Sequence, residues 1–363
     1  MKYIDEFRNK TLIKNLSDSI REIMPKEQIN IMEVCGTHTQ SFFRFGLHKL
    51  LPINLRLIAG PGCPVCVSSQ EYIDRAIQYA KDKDVIILTF GDMLRVPGSK
   101  SSLEKERAKG VDLRVVYSAL DSLIIARKNP DKKVIFLAVG FETTAPAIAL
   151  SIISAQKENL KNLFFFSSLK LIPPAMDYLI KDRRLNLSGF LCPGHVSTII
   201  GTEPYVFIPR KYRIGCCIAG FEPLDILEGI YFLIQQIVKN KPAVANQYKR
   251  AVNKQGNPKA RKIMFKVFKV CAASWRGLGN LPKSGLKIKD EFSRFDAERI
   301  FKLSDKRYAI SDKQKKCRCG DVLKGLITPD RCPLFKKTCS PEHPYGPCMV
   351  SSEGTCNAYY KYR

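Results

Sequence analysis

The sequence predicts an α/β protein: two tandem parallel-sheet α/β lobes, residues 1–130 and 131–225, followed by a helical and cysteine-rich segment, 226–363. Three observations lead there. Short apolar runs ending in glycine alternate with helical stretches up to about residue 225, the pattern of βαβ units. Similar strand ends, GFET at 140–143 and GFEP at 220–223, recur in the chain. Beyond Leu224 the strand pattern fades, and six of the thirteen cysteines fall in the last fifty residues.

The elements follow in order. Residues 9–24 form an amphipathic helix, and a short strand at 30–34 runs into Cys35-Gly36-Thr37-His38. The next apolar run, with Leu55, Leu57, Ile58 and Ala59, breaks at Gly60-Pro61-Gly62, as a buried parallel strand does when it enters a tight turn. A helix over 71–83 leads to a strong strand, 84–90, ending at Gly91-Asp92. A charged helix (103–109), a strand (112–117) and a helix stopping before Pro130 complete the first lobe. The second lobe has strands at 133–140, ending in GFETTAPA, and at 163–168, with a helix over 147–158 between them. Strands at 187–192 and 213–219 then lead into CPGHVSTIIG and GFEP. Leu224, Leu227, Tyr231, Ile234 and Val238 keep helical spacing, and a basic helical segment runs to about residue 270. After the loop SWRGLGNLPKSG comes a tail with no evident core of its own, which something other than apolar burial must hold.

Composition narrows the class. The N-terminus, MKYIDEFRNK, is charged and lacks the apolar core of a secretory signal, and no apolar run approaches the ~18 residues of a membrane span. A cytoplasmic protein with no membrane role is expected, so its cysteines should be thiols, metal ligands or redox couples rather than structural disulfides. The formal charge of +26 is spread along the chain, thickening at 249–269 and 313–318, without a nucleic-acid-binding motif. Acidic protein surfaces are therefore the expected partners of that charge, and nucleic acid is not.

The cysteines carry the chemistry. Cys63 and Cys66 stand at CxxC spacing in GPGCPVC, at the carboxyl end of a strand where open α/β sheets bind ligands. Pro64 stiffens the loop, and turn N–H groups favour a thiolate there. Cys35 occupies another strand end beside His38, which could lower its pKa or share a metal. Glu142 and Thr143 lie at a third, His195 at a fourth, and all can converge on one cleft. In the tail, Cys317, Cys319, Cys332, Cys339, Cys348 and Cys356 lack the paired hooks that zinc favours. Their long, irregular spacing suits an iron–sulfur cluster, although spacing alone does not select four ligands from six.

Together these stretches resemble the HypD family of [NiFe]-hydrogenase maturation factors from end to end. The resemblance is carried by MEVCGTHTQSFFRFG, LIAGPGCPVCV, GFETTAPA, LCPGHVSTIIG, WRGLGNLPKSGL and CRCGDVLKG…CPLF…C…PYGPCMVSSEGTCNAYY. It implies a scaffold that assembles the Fe(CN)2CO unit of the hydrogenase, with a HypC-type small chaperone and a HypE-type cyanide donor as partners. The family pattern Cys-x14-Cys-x6-Cys-x16-Cys falls on Cys317, Cys332, Cys339 and Cys356, implying a [4Fe-4S] cluster there and leaving out Cys319 and Cys348. The family's iron and redox cysteines fall on Cys35, Cys63 and Cys66, with His38, Glu142, Thr143 and His195 in matching motifs around them.

The residue chemistry agrees with that assignment. Fe(II) carrying CN and CO suits soft thiolates, and moving cyanide from a thiocyanate to iron takes two electrons, which a CxxC dithiol holds. On the residues without the family, an iron–sulfur-dependent dithiol/disulfide reductase acting on a small protein partner is the alternative.

Overall fold

A computed structural model describes residues 2, 4–303 and 316–363; part of the basic stretch 313–318 thus lies outside the described residues. The strands are β1 (Ile29–Glu33), β2 (Leu55–Ala59), β3 (Val85–Thr89), β4 (Leu113–Val115), β5 (Lys133–Gly140), β6 (Leu163–Lys170), β7 (Gly189–Pro193), β8 (Gly215–Ala219), β9 (Val244–Asn246), β10 (Phe268–Trp275) and β11 (Gly279–Ile288). Runs such as VIILT in β3 and KVIFLAVG in β5 are buried on both faces, as strands of a parallel sheet covered by helices must be. Phe136 and Phe165 are fully buried on neighbouring strands, each stabilising the fold by about 2–3 kcal/mol.

The chain confirms the α/β class and corrects the arrangement of its lobes. One sheet has the order β2-β1-β7-β8-β9 and is parallel throughout; the other has the order β10-β11-β6-β5-β3-β4. Residue 130 falls between β4 and β5, which belong to the same sheet, so the lobes interleave rather than follow one another. The chain changes sheet between β2 and β3 and returns between β6 and β7. An apolar run declares a strand but not its partner, and the helices that cross between sheets look like those that stay within one. GFET and GFEP consequently follow strands of different sheets, β5 and β8.

Residues 226–363 are likewise not a helical domain. Helix Pro223–Val238 buries Leu227, Ile230, Leu233 and Ile234 in the same apolar cluster as Leu191 and Cys217 of the first sheet. SWRGLGNLPKSG, expected as a loop, is the turn and flanks of the β10–β11 hairpin, which extends the second sheet antiparallel to β6. Gly277 makes that turn at φ +81°, and a Cβ there would come 2.4 Å from Gly320 Cα, so hairpin and tail abut. The tail packs into the body: Val322, Leu323, Met349 and Val350 join the main apolar cluster. Helix Thr355–Tyr362 lies on helix Gly36–Arg44, with Tyr359 and Phe43 rings 4.4 Å apart. Arg95 secures the tail further by donating to Pro341 O and Val350 O, at 3.0 and 3.3 Å. Among the described residues no helix is long and apolar enough to cross a membrane.

Candidate functional site

The carboxyl end of β1 turns directly into helix Gly36–Arg44, with Cys35 in extended conformation at its N-cap. The carboxylate of Glu33 folds back over this turn, accepting from Cys35 N at 2.9 Å and from the Thr39 hydroxyl. Burial pushes the Glu33 pKa well above the carboxylate range. The neighbouring strand end delivers the CxxC. Gly36 N donates to Gly62 O at 3.1 Å, and a Cβ on Gly62 would come 2.1 Å from Cys35 N. Only glycine lets the two loops touch. Gly62→Ala is therefore expected to lower stability by about 3 kcal/mol or more, read as the shift of a urea-unfolding midpoint; an unchanged midpoint would refute this contact.

That contact sets Cys63 beside Gly36, the residue after Cys35. A Cβ on Gly36 would lie 3.2 Å from Cys63 Cβ. Cys63 caps the short helix Pro64–Val67, a helical turn where a loop was expected, and its sulfur accepts from Cys66 N at 3.3 Å. Cys66 is fully buried. Burial raises its pKa, and thiol–thiol contacts with Cys348 and Cys63 add to the rise.

The histidines exchange the places the sequence implied. The His38 imidazole turns away from Cys35, its Nε2 2.8 Å from Gly220 O, and only its backbone N–H serves the Cys35 sulfur. His195 faces the thiol instead, with Nδ1 3.8 Å from Cys35 Sγ. Phe221, from the GFEP strand end, lies between the imidazoles at 4.9 and 5.3 Å. Burial drives both imidazoles down to about 4, so both are neutral at pH 7. A strand end reads as a loop from sequence, and side-chain direction there is set by the partner strand, which local pattern does not reveal.

Glu353 was not foreseen. It comes from the tail, accepts from the Thr37 hydroxyl at 2.6 Å and packs over Gly36. Burial raises its pKa, and burial followed by the nearness of Glu353 raises Cys35. A thiol held protonated beside buried Glu33 and half-buried Glu353, with a neutral imidazole against its sulfur, is an environment that a divalent cation would reverse. Such a cation favours the ionised form of all three acids at once.

Glu142 and Thr143 sit at the end of β5, in the other sheet. Glu142 is buried, its Oε1 accepting from Ile172 N at 2.9 Å while Oε2 has no partner among the described residues. Burial raises its pKa to about 7. Folding thus takes up a proton at this group; the stability is present below its ordinary value and is lost as pH rises towards and past 7. Glu142→Gln should stabilise the chain by about 2–3 kcal/mol more at pH 8 than at pH 5, measured by urea unfolding; equal effects at both would remove the buried acid from consideration.

The tail thiols form a connected group. Cys348 touches Cys66, Cys319 and Cys356; Cys319 pulls it down while Cys356 and burial push it up, to about 11. Cys319 in turn touches Cys317. Cys339 lies within the fields of Cys317 and Cys332, and Cys356 within those of Cys319, Cys317 and Cys339. Tyr345 N donates to Cys339 Sγ at 3.4 Å, and a Cβ on Gly346 would come 2.8 Å from Cys317 Sγ. Among the described residues no three His, Cys, Asp or Glu side chains are grouped to hold a single metal ion.

The chain matches the family model described as HypD, hydrogenase formation hypA family, over residues 11–363. It is 46% identical to the hydrogenase maturation factor HypD of Azotobacter vinelandii, over all of this chain and 97% of that protein. It is 43% identical to HypD of Cupriavidus necator (all of this chain, 97% of that protein) and 41% identical to HypD of Escherichia coli K12 (all of this chain, 98% of that protein). Identity at this level along the full length shows that the chain belongs to the HypD family of hydrogenase maturation factors.

Proposed function

We propose that the chain is the scaffold on which the Fe(CN)2CO unit of a [NiFe]-hydrogenase is assembled, working in the cytoplasm with a HypC-type chaperone and a HypE-type cyanide donor. The observation that carries this reading is the joining of Cys35 to the Cys63–Cys66 turn through Gly36 and Gly62, with His195 on the Cys35 sulfur. The incoming iron is the substrate. Cys35 supplies one soft thiolate, and the proton it loses leaves a site crowded with buried acids.

Cys63 and Cys66 supply the electrons. In a cyanide transfer the S–C bond of the donor thiocyanate breaks, cyanide passes to iron and the donor keeps a thiolate. The two electrons come from the dithiol, which becomes a disulfide and releases two protons. The Cys66–Cys348–Cys319 contacts connect this pair to the tail. The tail residues fit a [4Fe-4S] group. Cys339 lies near Cys317 and Cys332, Cys356 lies near Cys319, Cys317 and Cys339, and a backbone N–H aimed at the Cys339 sulfur is the kind of hydrogen bond that tunes a cluster thiolate. When bound, such a cluster supplies electrons one at a time.

The deciding experiment is anaerobic purification with the HypC-type partner, followed by infrared spectroscopy. CN and CO bands on the purified pair are expected; a protein that reduces disulfides but never carries these bands is the alternative reductase. The +26 charge acts on acidic partner surfaces, so association rates with either partner should fall steeply between low and physiological salt. Rates indifferent to ionic strength would separate the charge from partner binding.

A further inference from the structure

Lys170 ends β6 inside the protein. It is 2% exposed, yet among the described residues no carboxylate is its partner. Its ammonium donates to Ser168 Oγ at 2.8 Å and to Ser168 O at 3.4 Å, and stands 5.9 Å from the centre of the Trp275 ring. A buried ammonium is costly unless it is paired, and Ser168 offers only neutral acceptors. Burial lowers its pKa to about 7.

Lys170 and Ser168 line a recess of about 480 Å3 between the second sheet and helix Gln70–Ala80. The other charged or titratable groups facing it are Glu71, Tyr72 and Arg75 from that helix, Cys271 on β10, Lys287 on β11, and Asp296 and Glu298 beyond the hairpin. Tyr72 donates to Phe166 O at 2.8 Å, Cys271 is a half-buried thiol, and the others have partners or water. Arg75 pairs with Glu298, Asp296 caps the following turn by accepting from Glu298 N, and Glu71 and Lys287 are exposed to water. Among the described residues lining the recess, Lys170 is the one buried cation with no carboxylate beside it.

We propose that this recess binds a small monocarboxylate, whose carboxylate completes the ion pair at Lys170 and takes a hydrogen bond from Ser168. One buried, unpaired positive charge, with Arg75 tied to Glu298 and Lys287 out in water, matches one negative charge and disfavours a phosphate dianion. The recess also reaches Ser69, three residues past Cys66, and the end of β10 bridges to Ser68 at Trp275. A ligand there would lean on the segment that carries the CxxC pair. The assembly reaction assigns no role to this position.

The test uses the full chain with sodium formate, acetate and glycolate as probes, against matched sodium chloride and inorganic phosphate. Calorimetry at pH 8 in buffers of different ionisation enthalpy should show binding with uptake of ~1 proton per carboxylate, because the ligand returns the lysine to its charged form. Lys170→Met, which removes the charge and keeps the stem, should abolish both the heat and the proton uptake. Ser168→Ala should weaken binding about tenfold or less. Binding that survives in Lys170→Met overturns the proposal, as does phosphate binding more tightly than any carboxylate. Should Lys170→Met fail to fold, the wild-type titration decides alone: none of the three carboxylates bound with proton uptake refutes the site.

Discussion

Cys35→Ala should abolish the CN and CO infrared bands of the anaerobically purified complex while leaving the visible absorbance of the tail intact. The thiol it removes is the one that faces His195, and it sits where buried Glu33 and half-buried Glu353 favour an incoming cation. Alanine leaves the turn standing, because its bonds are donated by main-chain N–H groups, Cys35 N to the Glu33 carboxylate and Gly36 N to Gly62 O. The effect is thus a lost ligand and not a lost fold. Cys63→Ala removes half of the dithiol instead. It should block cyanide transfer even with a loaded donor and supplied iron, and an external reductant should restore part of it, since what is missing is electrons. The same reductant should do nothing for Cys35→Ala. Equal rescue of both variants would end this division of labour.

The local pieces of this site were legible in sequence because each is written in a short stretch. An apolar run broken by GPG gives β2 and its turn, and Cys63 and Cys66 follow from spacing. The α/β class followed from alternation in the same way. Sheet membership did not, because β3 to β6 read no differently from β1 or β7, and nothing local says that β1 pairs with β7 across some 160 residues. His195 came to Cys35 through that pairing, and so its contact could not be read beforehand while its motif could. The hairpin of β10 and β11 was hidden for a different reason. Exposed Val270, Ala272 and Ser274 alternate with half-buried Lys269, Cys271 and Ala273, so the apolar side does not face inwards consistently, and two glycines at positive φ invite a loop reading. Glu353 had no signature at all: one acid in a cysteine-rich tail acquires its role only when Gly36 leaves room for it.

Cys339→Ala should remove iron and sulfide together from the anaerobically purified chain, and Cys319→Ala should remove neither. The two thiols differ in surroundings. Cys339 receives the Tyr345 N–H and lies in the fields of Cys317 and Cys332, in a stretch where Arg331, Lys336, Lys337 and Thr338 are exposed and little apolar burial holds the chain. Cys319 begins the turn Cys319–Leu323, anchored by buried Val322 and Leu323, and its sulfur contacts Cys317 and Cys348. Loss of Cys339 should therefore loosen residues 330–346 most, seen as faster amide exchange there, while Val322, Leu323, Met349 and Val350 keep the flanks docked in the core. Cys319→Ala should keep its iron and sulfide and lose the thiol contact that joins Cys348 to Cys317. Its Cys63–Cys66 disulfide should then be re-reduced more slowly when electrons are supplied through the tail, but at the normal rate by a small thiol reductant reaching the pair directly. If the Cys319 variant loses its iron and the Cys339 variant keeps it, the ligand set is wrong and Cys319 must take a place among the four.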